Sequence, residues 1–182
     1  SQSLASRPLP QGEGRLVTSD VHAPLAPMTR PLIFGILNVT EDSFSDGAKY
    51  LEPEAAIAQG LKLAADGADV IDIGAASSNP DGKAVAPAEE IHRLTPVVAA
   101  LHVKGIAVSV DTFALPTQLW ALQQNVAWLN DIEGFAEPAL YPELAASSVK
   151  LIVMHSVQGR GRATRVETDP ATIIDRLFAF FD

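Results

Sequence analysis

Five short apolar runs in this chain each end on a residue that can hydrogen-bond or ionise: Asn38, Asp72, Asp111, Asn130 and His155. Carboxylates and carboxamides brought to one place can pair the polar groups of a bound ligand. A carboxylate supplies two acceptors and a carboxamide one of each kind. Left unpaired in a buried site, each would cost about 1–3 kcal/mol, so several of them at one mouth imply a ligand that pairs them. Asn and Asp also cap helices and close turns, and any one of these positions taken alone is open to that reading. Recurrence across five runs favours a site. The chain has no cysteine, which removes thiolate nucleophiles and Cys-ligated metals.

The elements that must position these residues follow from hydropathy. Leu32–Leu37 is apolar and runs into Asn38, and Pro53–Ala65 follows with Ala56, Ile57, Leu61, Leu63 and Ala64 at helical spacing, closed by Gly67. Val70–Ile73 ends at Gly74 and precedes a helical stretch from Pro87 to about Val103. Ile106–Val110 runs into Asp111 and is followed by Leu115–Gln124. Ala127–Leu129 runs into Asn130 and Asp131, with Pro138–Ala146 behind, and Leu151–Val153 runs into Met154 and His155, with Pro170–Phe181 behind. Five strand–loop–helix units imply a parallel sheet with helical crossovers. A dinucleotide-binding open sheet would carry G-x-G-x-x-G after its first strand, and the chain there reads Asn38-Val39-Thr40-Glu41-Asp42-Ser43. Polar residues at successive strand ends fit a closed (β/α)₈ barrel, whose sites lie at that mouth.

Composition sets the limits. The 182 residues, 47% hydrophobic, suit one domain rather than two. A net charge of −9, from 13 Lys and Arg against 22 Asp and Glu, argues against a nucleic-acid partner, although Arg160, Arg162 and Arg165 cluster locally. No apolar run reaches the ~20 residues of a membrane span, and no leader pattern opens the chain, so no membrane partner and a cytoplasmic location are expected. Residues 1–30, with Pro8, Pro10, Pro24 and Pro27 and no periodicity, are expected to be a disordered or non-native tail before a 31–182 barrel portion. Met28, just before the first apolar run, is a candidate start.

The residues resemble a known family. Gly35-Ile36-Leu37-Asn38-Val39-Thr40-Glu41-Asp42-Ser43-Phe44-Ser45-Asp46-Gly47 is similar to the first-loop signature of dihydropteroate synthases, and Gly67–Gly74 to their second strand. Ser109-Val110-Asp111-Thr112, Leu129-Asn130-Asp131-Ile132 and Val153-Met154-His155 resemble their third, fourth and fifth strand ends. The ordered set covers about residues 31–182 and implies a (β/α)₈ TIM barrel of which about five βα units are present. It implies condensation of 6-hydroxymethyl-7,8-dihydropterin pyrophosphate with p-aminobenzoate, releasing pyrophosphate.

By that resemblance Asp111 and Asn130 hold the pterin, with Ile132 and Met154 packed near it. Asn38 binds Mg²⁺ or the pyrophosphate, and Asn38 and Ser78 serve catalysis. Thr40, Ser43, Phe44, Ser45, Ser77 and Ser78 belong to loops around p-aminobenzoate and pyrophosphate. A homodimer is implied at full length. Typical members carry Glu-Ser-Thr-Arg-Pro in the second loop, where this chain has Ala76-Ser77-Ser78-Asn79-Pro80, so a planar cation able to clamp phosphate is replaced by Asn79. That loop, Asn130–Phe135, Ala139–Pro142 and Met154–Gln158 are similar to the mobile sulfonamide-resistance synthases. The family's Asp-Pro-Gly segment, pterin-binding Lys and Arg-x-His clamp belong to units after the fifth, so residues 1–182 alone are expected to be inactive. Two other readings are a methyltetrahydrofolate methyltransferase relative, against which the first loop argues, and a non-catalytic pterin-binding fragment.

Overall fold

The computed structural model describes residues 30–40, 53–76, 84–157 and 166–182. The chain divides into Ser1–Pro31, of which only Arg30 and Pro31 are described, and Leu32–Asp182. The second unit alternates strand and helix: β1 Phe34–Asn38, α1 Pro53–Ala65, β2 Val70–Gly74, α2 Pro87–Val103, β3 Ala107–Asp111, α3 Leu115–Gln123, β4 Trp128–Asp131, α4 Tyr141–Ala146, β5 Lys150–Val153 and α5 Ile173–Phe181. Strands start one or two residues later than hydropathy alone suggests for β1, β3 and β4. The expected helices at 138 and 170 each open as a three-residue 3₁₀ turn before α4 and α5. In both, a carboxylate accepts from a backbone N–H of that turn: Glu137 from Ala139 and Asp169 from Ala171. Helix starts are otherwise marked by proline in the first turn, where a missing N–H costs nothing, at Pro53, Pro87 and Pro116.

All strand pairs are parallel and the sheet order is β1-β2-β3-β4-β5. A doubly wound sheet reverses its order at a switch point; an unreversed order places successive helices side by side on one face and lets the sheet curl. Here α1 packs on α2, α2 on α3 and α3 on α4. The curl is directly visible. Flat strands spaced about 4.8 Å would put β1 and β4 about 14 Å apart, yet the rings of Phe34 on β1 and Trp128 on β4 meet edge to face with centroids 5.3 Å apart. These are five βα units of the (β/α)₈ barrel fold.

Register separates the two faces. Leu37, Ile71, Ile73, Val108, Val110 and Leu129 point outward into a core closed by Leu94, Val97, Val98 and Leu101 of α2, Ala56 of α1 and Ala121 of α3. Gly60 lets α1 seat closely there, since a Cβ on it would lie 3.2 Å from Leu101 and 3.4 Å from Leu37. Burying side chains such as these is worth about 1.5–3 kcal/mol each. The alternate residues line the concave face in rows fixed by the pairing: Ile36, Asp72, Ser109 and Trp128, then Asn38, Gly74, Asp111 and Asn130 nearer the mouth.

Candidate functional site

The mouth row carries the sequence-predicted residues. Asn38 ends β1, Asp111 ends β3 and Asn130 lies beside Asp111 on β4. Gly74 stands between the first two, and a Cβ built there would sit 3.6 Å from Asn38 Oδ1 and 3.7 Å from Asp111 Oδ2. Both oxygens thus lean over the same small patch, which a larger residue at 74 would fill.

Asp72 departs from expectation. It does not end its strand but lies two residues inside β2, one row below the mouth. From there it reaches past β3, its Oδ2 accepting a hydrogen bond from Asn130 Nδ2 at 3.2 Å. Asp72 Oδ1, Ser109 Oγ and Asn130 Oδ1 are all buried without a hydrogen-bond partner. Asp72 is 8% exposed and Ser109 fully buried. Among the described residues only one other buried side-chain polar atom, Thr168 Oγ1, lacks a partner, so three orphaned atoms on one concave face mark a candidate ligand site.

Charge points the same way. Asp111 keeps an open edge at the mouth, but its carboxyl group is withdrawn from water and surrounded by acids. Burial first, then the negative charges of Asp72, Asp131 and Glu90, push its pKa up to about 7. A ligand presenting N–H donors relieves that crowding.

Asn130 and its neighbour Asp131 have opposite roles because successive strand residues face opposite sides. Asp131 points to the helix side, where its carboxylate accepts from Gln118 Nε2 at 2.9 Å and from the backbone N–H groups of Glu133 and Phe135 at 2.7 and 3.1 Å. Gln118 also donates to the Thr112 carbonyl. Glu90, in the first turn of α2, is buried and accepts from the hydroxyls of Thr112 and Thr117 at 3.0 and 2.6 Å. This belt behind the mouth holds the β3 and β4 ends and the loop after β4. In that loop Gly134 and Phe135 both take left-handed backbone conformations, φ 67° and 60°. Glycine is needed at 134 twice over, since a Cβ would lie 2.7 Å from the Met154 carbonyl oxygen.

Glu90, Thr117 and Gln118 were not singled out from sequence, and Ser109 and Thr112 entered only as members of the third strand-end segment, without a site role. Glu90 reads there as an ordinary acidic helix start, and Ser109 as a small residue in a strand. Of the remaining expected site residues, Thr40 is buried just past β1, Ile132 is half-buried in the turn after β4, and Met154 is 40% exposed just past β5. His155 was expected at the mouth with the other strand-end residues; its ring packs edge to face on Phe180 of α5, centroids 5.1 Å apart. Ser43, Phe44, Ser45, Ser77 and Ser78 lie outside the described residues. Among the described residues no group of three or more His, Cys, Asp or Glu side chains could enclose a metal ion, and no helix is long and apolar enough to cross a membrane.

A curled parallel sheet with hydrogen-bonding side chains along one row of its strand ends is the layout of the site-bearing face of a (β/α)₈ barrel. The chain belongs to the pterin binding enzyme family, whose model matches residues 34–182. Within it the chain is a homologue of the dihydropteroate synthases. It is 57% identical over 151 residues to the Escherichia coli dihydropteroate synthase type-2, covering 83% of this chain and 55% of that protein. The Xanthomonas albilineans dihydropteroate synthase solved with 4-aminobenzoic acid superposes with a TM-score of 0.69 at 34% identity, over 84% of this chain and 54% of that one. The Burkholderia cenocepacia synthase complexed with 7,8-dihydropteroate gives a TM-score of 0.69 at 28% identity, over 84% and 52%. The chain spans about half the length of the curated relatives it matches.

Proposed function

We propose that this chain is the pterin-holding part of a dihydropteroate synthase, which joins 6-hydroxymethyl-7,8-dihydropterin pyrophosphate to p-aminobenzoate. The observation that carries the reading is the unpartnered Asn130 Oδ1 beside the crowded carboxylate of Asp111. The aminopyrimidinone edge of a pterin offers the adjacent N–H donors these oxygens lack. Ile132 and Met154, at the ends of the neighbouring units, supply apolar contact to the ring.

The reaction forms a C–N bond between the arylamine and the pterin methylene and breaks the C–O bond to pyrophosphate, and the arylamine loses a proton. Asn38 is exposed at the mouth, and in this reading it serves the side where pyrophosphate leaves. It offers one carboxamide oxygen, which suits Mg²⁺, an ion that takes most of its shell from water and phosphate. When bound, Mg²⁺ offsets the charge that builds on the leaving group. The family resemblance assigns Thr40, Ser43, Phe44, Ser45, Ser77 and Ser78 to p-aminobenzoate and pyrophosphate; of these only Thr40 is among the described residues. The 57% identity to a type-2 synthase, together with Asn79 in the second loop, supports a sulfonamide-insensitive variant.

In this reading residues 1–182 do not turn over alone, because the groups that clamp pyrophosphate come from further strands. Loss of such electrostatic stabilisation costs about 10²-fold or more in rate. The test is synthesis of 7,8-dihydropteroate by the chain extended to the length of its relatives, assayed with and without a sulfonamide. Turnover that persists at drug concentrations blocking a sensitive synthase supports the reading in full. Absence of product from a folded, pterin-binding protein overturns the synthase assignment.

A further inference from the structure

Resting on the pterin reading above, we propose that Asp72 is a positioning residue that fixes which end of the Asn130 amide faces the ligand. A carboxamide in a pocket can sit in either of two orientations, exposing oxygen or NH₂. Here Asn130 Nδ2 donates to Asp72 Oδ2 at 3.2 Å and Asn130 Oδ1 is left buried and unpartnered. In the opposite orientation the amide oxygen would face a carboxylate oxygen, two acceptors in contact in a site that excludes water, and the NH₂ would lose its acceptor. Asp72 therefore commits Asn130 Oδ1 as an acceptor.

The geometry suits that task. Asp72 sits in the middle of β2, paired in register with Ile36 on one side and Ser109 on the other, so its backbone is held from both edges. It is 8% exposed and stands one row below Asn130, where it reaches the amide without occupying the mouth. The pocket then recognises a ring edge that presents an N–H opposite Asn130 Oδ1, and it disfavours a ring that presents an unprotonated nitrogen there. The function of Asp72 runs through Asn130, whereas Asp111 and Asn130 face the ligand themselves.

A double-mutant cycle separates this from a merely structural role. In the chain extended to the length of its relatives, affinity for 6-hydroxymethyl-7,8-dihydropterin is measured by calorimetry for wild type, Asp72→Ala, Asn130→Ala and the double variant. Asp72→Ala is expected to weaken binding fivefold or more when Asn130 is present and less than twofold when it is absent. Asp72→Asn, which keeps an oxygen for Asn130 Nδ2, should stay within threefold of wild type, and the KM for p-aminobenzoate should change less than twofold in all folded variants. Asp72→Leu, close to Asp in shape and without an acceptor, takes the place of Asp72→Ala if the latter fails to fold. Equal losses in both backgrounds, or no loss from Asp72→Ala, overturn the positioning role and leave the pterin reading intact. An unchanged affinity in Asn130→Ala alone overturns the pterin reading and this inference with it.

Discussion

Pterin affinity should depend on pH through Asp111. Its carboxyl is held at about 7 by burial and by Asp72, Asp131 and Glu90, and only the ionised form offers two acceptors to a donor edge. With a pKa near 7 about a tenth of the free protein is ionised at pH 6 and about nine-tenths at pH 8, so affinity should rise about tenfold across that interval, or ~1.4 kcal/mol. The sign is that of a raised acid: below pH 7 a proton must be expelled before binding, and above it none is. The same shift means that folding stability linked to Asp111 is full below its ordinary pKa of 3.8 and is lost as pH rises toward 7. Three units would correspond to about 4 kcal/mol, but the open edge of Asp111 lets solvent screen the repulsion, and about 1–2 kcal/mol is the expected loss. Calorimetric titration of 6-hydroxymethyl-7,8-dihydropterin at pH 6, 7 and 8, in wild type and Asp111→Asn, measures the effect and cancels any titration of the ligand. An affinity that is flat from pH 6 to 8 in wild type, or that rises as steeply in Asp111→Asn, would refute the reasoning.

Asn38→Ala should lower turnover more than it lowers pterin affinity if, as proposed, Asn38 serves the departing pyrophosphate; turnover unchanged at saturating Mg²⁺ in a steady-state assay speaks against that role. Asp131→Ala removes the acceptor of two buried hydrogen bonds and one part-buried one, each buried donor costing about 1–3 kcal/mol when stranded, so a stability loss of about 2 kcal/mol or more is expected by urea denaturation. Gly134→Ala forces a side chain into a left-handed position 2.7 Å from a backbone oxygen and should cost about 1–3 kcal/mol by the same measurement.

The fold was legible because alternation of short apolar runs with helical periodicity requires a parallel sheet, and the absence of a dinucleotide loop left the barrel. The shared row of Asn38, Asp111 and Asn130 at the mouth was legible because each follows directly on the apolar run of its strand. The depth of Asp72 was not, since Gly74 rather than Asp72 ends β2 and only the register places Asp72 under Asn130. Nor could adjacent Asn130 and Asp131 be assigned to opposite faces until the strand's start was known: moving it by one residue exchanges them. The packing of His155 on Phe180 joins elements separated by a loop, a contact to which local pattern is blind.

The central claim is that the concave face of this half-barrel holds a pterin through Asp111 and Asn130. Its most direct test is the dissociation constant of 6-hydroxymethyl-7,8-dihydropterin for the chain extended to the length of its relatives, compared with Asp111→Ala at pH 8. The account predicts a loss of at least fivefold, about 1 kcal/mol, in a variant that keeps its fold; a smaller loss in a folded variant contradicts it.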